Sequence, residues 1–138
     1  MGMLDGVKVL DFTHAYAGPF CTMTMADFGA QVIKIEKVSG GDQARSWGPF
    51  KNGYSGYYAS FNRGKKSLPL DLRAPEAKEI IRRLIAESDI ICSNFKAGTM
   101  EKMGFSYEEV RQIKPDIIFA ELSGFGSKGA LSAYAAYD

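Results

Sequence analysis

The feature that most constrains the fold of this sequence is an alternation of short β-branched runs with helix-forming runs. Val7-Lys-Val-Leu-Asp-Phe12 reads as a strand, and Ala17-Gly18-Pro19 breaks it. Pro19 suits the first turn of a helix, expected from about Pro19 to Phe28 with Gly29 as its C-terminal cap. Gln31-Val-Ile-Lys-Ile-Glu36 is the second strand. Ser67-Leu-Pro-Leu-Asp71 is a third, and Pro69 marks it as an edge strand or a bulge. Pro75 opens the clearest helix, with Ala77, Ile80, Ile81, Leu84 and Ile85 on one face and charges on the other. Asp89-Ile-Ile-Cys-Ser93 is a strand. Ser106 and Glu109 match a capping box at the start of another helix, which Lys114-Pro115 ends. Asp116-Ile-Ile-Phe-Ala-Glu-Leu122 is the last strong strand. Such alternation predicts an α/β fold: a parallel sheet covered on its faces by flanking helices, with right-handed crossovers.

In such a sheet, ligands bind beyond the carboxyl ends of the strands. The loops there are Thr13–Gly18, Lys37–Lys66, Asn94–Gly104 and Ser123–Gly129. The second is unusual. It carries six glycines together with Trp47, Phe50, Tyr54, Tyr57, Tyr58 and Phe61, and no sustained period, so it reads as a long functional segment and not as disorder.

Composition narrows the chemistry. A chain of 138 residues, 46% of them apolar, is the size of one domain and needs no disulfide or metal staple. Lys plus Arg number 17 against 16 for Asp plus Glu, which argues against a general nucleic-acid binder. No apolar run is long enough to span a membrane, and Met1-Gly-Met-Leu-Asp5 lacks the pattern of a secretory leader, so a cytoplasmic location is expected. Cys21 and Cys92 form no C-x-x-C pair, and His14 is the sole histidine, so neither a metal site nor a Ser-His-Asp triad is expected. Catalysis by a carboxylate nucleophile stays open.

Three segments are candidates for ligand contact. Thr13-His-Ala-Tyr-Ala-Gly18 occupies the place of a dinucleotide-binding G-x-G-x-x-G but has one glycine, and Glu36 stands where an acidic residue would hold a ribose. Ordinary NAD binding and P-loop chemistry are therefore disfavoured, and a plain strand-helix connection fits the spacing better. Asn62-Arg-Gly-Lys-Lys-Ser67 is a basic run whose Arg63, Lys65 and Lys66 suit phosphate oxygens, against the plainer reading of a solvated turn. In the Asn94–Gly104 segment, Phe95 and Met103 suit either the core or the two sides of an adenine, with Thr99 and Lys102 reaching polar groups. Pattern alone leaves those two readings even.

Taken together, Leu10-Asp-Phe-Thr-His-Ala-Tyr-Ala-Gly-Pro19, Gly29-Ala-Gln-Val-Ile-Lys-Ile-Glu36, Gly41-Asp42 with Arg45, and Asn62-Arg-Gly-Lys-Lys-Ser67 with Leu70-Asp-Leu72 resemble the family III CoA-transferases, the CaiB/BaiF group. Asn94-Phe95 with Gly98, Met103-Gly104, Ser123-Gly-Phe-Gly126 and Tyr137-Asp138 fit the same pattern, in the same order, over essentially the whole chain. The family includes formyl-CoA transferase, carnitine-CoA transferase and the α-methylacyl-CoA racemases.

The resemblance implies that residues 1–138 are the CoA-binding, Rossmann-like N-terminal portion of an enzyme that moves CoA from an acyl-CoA donor to a carboxylic acid. It implies an aspartate nucleophile, anhydride and thioester intermediates, and a homodimer of interlocked chains. It matches Tyr16 and Ala17 to positions at the thioester end of CoA, and Lys37 to a phosphate-binding arginine of formyl-CoA transferase. Leu70, Arg73, Asn94, Phe95, Thr99, Lys102 and Met103 match positions around the adenine and the 3′-phosphate.

Three departures accompany it. The aspartate nucleophile is expected beyond Asp138, so no catalytic residue is assigned and the 138-residue chain alone is expected to be inactive. Tyr137 replaces the catalytic histidine of the racemases, which favours transfer over racemisation. Lys96-Ala97 replaces a common Arg-Pro. The alternatives are a racemase-like enzyme, a nucleotide-binding regulatory module, and a non-catalytic CoA-binding subunit paired with a complementing C-terminal half.

Overall fold

The computed structural model describes residues 2–132, 134 and 136. Five strands form one parallel sheet: β1 (Lys8–Asp11), β2 (Gln31–Glu36), β5 (Lys65–Pro69), β6 (Ile90–Ser93) and β7 (Ile118–Glu121). Their order across the sheet is β5-β2-β1-β6-β7. The chain therefore builds outward from β1 in one direction and then returns to build in the other, so the order reverses between β1 and β6. β5 lies at an edge, as Pro69 requires, because an edge strand can forgo a ladder donor.

Successive side chains of a strand point to opposite faces, and the two faces of this sheet are unequal. On one face Leu10, Phe12, Ile35 and Ile91 meet Ile81 and Ile85 of α3 (Pro75–Ala86), Met100 of α4 (Thr99–Lys102) and Val110 of α5 (Tyr107–Ile113) in the main core. On the other, Val9, Val32 and Cys92 pack with Ala30 against Met25 and Ala26 of α1 (Ala17–Asp27) in a smaller one. Helix α1 starts two residues earlier than Pro19 predicts, and α5 carries the complete Ser106–Glu109 capping box.

The Lys37–Lys66 segment is more regular than its sequence suggests. It contains a 3₁₀ turn at Gln43–Ser46, a two-stranded hairpin of β3 (Phe50–Lys51) and β4 (Tyr54–Ser55), and α2 (Gly56–Asn62), before β5 begins at Lys65. The Ser55 side chain caps α2 by accepting the Tyr58 amide, and Tyr57 and Phe61 pack edge to face. Aromatic contacts of this kind hold short elements without leaving a sequence period. Tyr137 and Asp138 lie outside the described residues.

Candidate functional site

All five strands of the sheet are parallel, so their carboxyl ends share one edge. The parallel register sets Asp11 opposite Lys34 and Lys34 opposite Ser67, in a row on the face that α1 covers. Lower on that face the strands bury Val9 and Val32. The face thus changes from apolar to ionic as it approaches the carboxyl edge.

This row is a connected network of buried charges. The Asp11 carboxylate accepts from the Thr13 amide and hydroxyl through Oδ1, and from Thr22 Oγ1 at 2.7 Å and Lys65 Nζ at 3.1 Å through Oδ2. Lys65 Nζ also donates to the Pro19 carbonyl and to Asn62 Oδ1, so its ammonium has three acceptors. Lys34, fully buried in the middle of β2, donates to the Thr13 carbonyl at 2.6 Å and pairs with Asp42 at 2.9 Å. Asp42 in turn accepts from the amides of Ala15 and Ala44. Burial works against ionisation of Asp42, but the Lys34 charge and these amides outweigh it and lower its pKa.

Glu36 closes the network at the end of β2. It accepts a two-pronged contact from Arg45, at 2.9 and 2.7 Å, the Asp42 amide at 2.8 Å, the Tyr58 hydroxyl at 3.1 Å and a short hydrogen bond from Ser67. Burial would raise its pKa, yet the Arg45, Ser67 and Asp42 hydrogen bonds bring it down from 4.5 to about 2. An acid so fully engaged by its own chain has little left for a ribose, which removes the main support for a dinucleotide reading. The single glycine of the first loop has a packing role instead. A Cβ on Gly18 would lie 2.3 Å from Thr13 Cβ.

The ten residues singled out as ligand contacts all fall on the carboxyl edge. Tyr16 and Ala17 follow β1, Lys37 follows β2, Leu70 and Arg73 follow β5, and Asn94, Phe95, Thr99, Lys102 and Met103 follow β6. Tyr16 is half exposed and meets Phe61 edge to face at 4.9 Å. Lys37 and Lys102 are exposed. Arg73 is 91% exposed and pairs with its neighbour Asp71. Leu70, Phe95 and Met103 are partly buried, packed on the main core with part of each surface open. Phe95 also lies against the His14 ring at 5.2 Å. Asn94 reaches across the β1–β6 boundary to the His14 backbone, accepting its amide and donating to its carbonyl, both at 2.8 Å.

The basic run is split by the structure. Lys65 belongs to the buried network, and Arg63 pairs with Asp27 at 2.5 Å, while Lys66 stays exposed. The expectation that all three present charge to phosphate is corrected for Lys65, whose side chain is 2% exposed. Lys34, Asp42 and the Glu36–Arg45 pair escaped the sequence reading as a working cluster. The available signal was a lysine flanked by Val32, Ile33 and Ile35 in a strand that runs inside a parallel sheet, where both faces are covered.

Partly buried apolar side chains and exposed cations on one sheet edge suit a ligand with an aromatic base and several phosphates. Among the described residues, no group of three or more His, Cys, Asp or Glu is placed to hold a metal, and no helix is long and apolar enough to cross a membrane.

The model of CoA-transferase family III matches residues 4–138. Succinyl-CoA:glutarate CoA-transferase of Homo sapiens is 43% identical over 98% of this chain and 31% of its own length. Succinyl-CoA:mesaconate CoA-transferase of Haloarcula hispanica is 48% identical over 91% of the chain and 33% of its own length. A crystal structure of a CaiB/BaiF family protein from Brucella suis superposes with a TM-score of 0.93 at 40% identity, over 99% of this chain and 37% of that one. The chain thus spans about a third of the length of the curated relatives it matches.

Proposed function

This chain belongs to CoA-transferase family III, and from that premise we propose that residues 1–138 form the CoA-binding part of an enzyme that transfers CoA from an acyl-CoA to a carboxylic acid. The observation that carries the proposal is the composition of the carboxyl edge. Lys37, Arg73 and Lys102 offer exposed positive charge for phosphates, and the half-buried Leu70, Phe95 and Met103 offer an apolar shelf for the adenine. Thr99, at the start of α4, adds a hydroxyl on the same edge, and Tyr16 and Ala17 are assigned to the thioester end. The relatives named for succinyl-CoA, and the acetyl-CoA:oxalate CoA-transferase of Acetobacter aceti at 42% identity, fit small dicarboxylic substrates.

The chemistry we assign is attack of an aspartate carboxylate on the acyl thioester, with CoA leaving as its thiolate. That aspartate is not assigned among these residues, so the 138-residue chain is expected to bind CoA without turning it over. An interlocked homodimer belongs to the same proposal. The free Cys21 and Cys92 fit a reducing compartment such as the cytoplasm.

Calorimetric titration of the chain with CoA, and separately with NAD, tests the reading. Binding of CoA with no measurable uptake of NAD is the expected result. Preference for NAD would replace it with a dinucleotide-binding module, and acyl exchange by the isolated chain would overturn the assignment of the nucleophile elsewhere.

A further inference from the structure

The loop from β1 to α1 is held by side chains that come from well-separated parts of the sequence. From the Thr13 amide through the Ala15 amide, each backbone N–H and C=O meets a side chain. Asp11 takes the Thr13 amide and Lys34 the Thr13 carbonyl, Asn94 takes both groups of His14, and Asp42 takes the Ala15 amide. Ala15 itself sits at φ 64°, a left-handed conformation that a residue with a Cβ keeps only when its surroundings enforce it. Asp11, Lys34 and Asp42 belong to the buried network on the β1–β2 side. On the far side of the point where the sheet order reverses, Asn94 supplies the side-chain hydrogen bonds to this loop, beside the Phe95 ring that lies against His14.

The carboxamide is well suited to that task. His14 presents one donor and one acceptor, and Asn94 answers with one of each, which also fixes the orientation of its amide group. We propose that Asn94 is a positioning residue. It is a latch that joins the β6 loop to His14 and so sets the places of Tyr16 and Ala17, and it is not a contact to the adenine end of the ligand. The latch rests on these hydrogen bonds alone, whereas the role it serves rests on the proposed CoA site.

Two measurements on the 138-residue chain test this. Amide exchange followed by NMR reads the latch directly, because the His14 amide lies in a loop and has the Asn94 oxygen as its acceptor. That amide is expected to exchange about tenfold faster in Asn94→Ala, the equivalent of one lost hydrogen bond. Asn94→Asp keeps the size and the acceptor but loses the donor to the His14 carbonyl. It is expected to give an intermediate rate, and it serves alone if the alanine variant does not fold. Exchange at the free-chain rate in the unmodified protein, or a rate unchanged in both variants, would overturn the latch.

Titration with CoA and with adenosine 3′,5′-bisphosphate then separates positioning from contact. A latch predicts that the variants bind CoA about tenfold more weakly while the bisphosphate is unaffected. Equal weakening of both would make Asn94 a direct adenine-end contact and overturn the proposal. If the unmodified chain takes up neither compound, the CoA reading falls, and the exchange rates still decide the latch.

Discussion

A single carboxylate shows how far this protein departs from the average behaviour of its residue types. Glu36 ends β2 beside an exposed lysine, a position where a solvated acid with an ordinary pKa would raise no comment. Instead its carboxylate is nearly inaccessible and holds four side-chain or backbone partners, which lower its pKa to about 2. The consequence for stability has a definite sign. A carboxylate whose pKa is lower in the folded protein than in the unfolded chain stabilises the fold above its unfolded value. That contribution is lost as pH falls through the folded value. Glu36 therefore contributes fully above about pH 4.5, and the contribution drains away between there and about pH 2. His14 adds a separate, milder loss beginning higher. Burial lowers its pKa from 6.5, so protonation below that value favours the unfolded chain. We expect urea-unfolding free energies measured from pH 7 to pH 2.5 to decline in two stages. Glu36→Gln should flatten the lower stage and leave the upper one in place. An unchanged acid limb in that variant would mean that Arg45 and Tyr58 do not sense the Glu36 charge.

At the scale of elements, β2 is where reading from sequence succeeded in outline and failed in content. Its limits, Gln31–Glu36, come directly from a run rich in β-branched residues between Gly29-Ala30 and Lys37. What the run could not disclose is that Lys34 points inward to Asp42 and the Thr13 carbonyl. Those partners are set by which strand lies beside β2 and by how the next loop folds back, and neither is local information. The same limit explains α2. Helices α3 and α5 announce themselves through an apolar face or a capping box, but α2 depends on the Ser55 cap and on rings from other elements, so it was hidden inside an apparently irregular stretch. The candidate site residues that follow a recognisable strand fall at one edge, because the sheet rule places them there. Lys65 was misjudged because it lies inside a strand and not after one. The buried pair gives a test proper to β2. Lys34→Met removes the partner of a fully buried Asp42 and is expected to cost about 3–5 kcal/mol in urea unfolding. Adding Asp42→Asn removes the stranded charge and keeps an acceptor for the Ala15 amide, so the double variant should recover much of that loss. Additive losses in the double variant would show that the two groups are not coupled.

For the whole molecule the decisive quantity is where charge lies and not how much there is. Formal net charge is +1, so the protein as a whole offers no long-range field to attract a polyanion. Much of its charge is also spent internally, since Asp11 and Lys65, Lys34 and Asp42, and Glu36 and Arg45 neutralise one another. Exposed cations on the carboxyl edge, among them Lys37, Arg73, Lys96 and Lys102, are thereby left as local positive charge at its rim. Such a rim acts only within about 10 Å at ordinary ionic strength, because salt screens exposed charges beyond that distance. It follows that recognition of a polyphosphate here should be short-ranged and salt-sensitive, while the internal pairs should be nearly indifferent to salt. CoA affinity is expected to fall several-fold as NaCl rises from about 50 to about 500 mM, with little accompanying change in urea stability. Lys37→Ala combined with Lys102→Ala should weaken binding at low salt and flatten its salt dependence. The same slope in the unmodified chain and the double variant would place the phosphates elsewhere on the molecule. A stability that fell in step with affinity would instead assign the salt effect to the buried network.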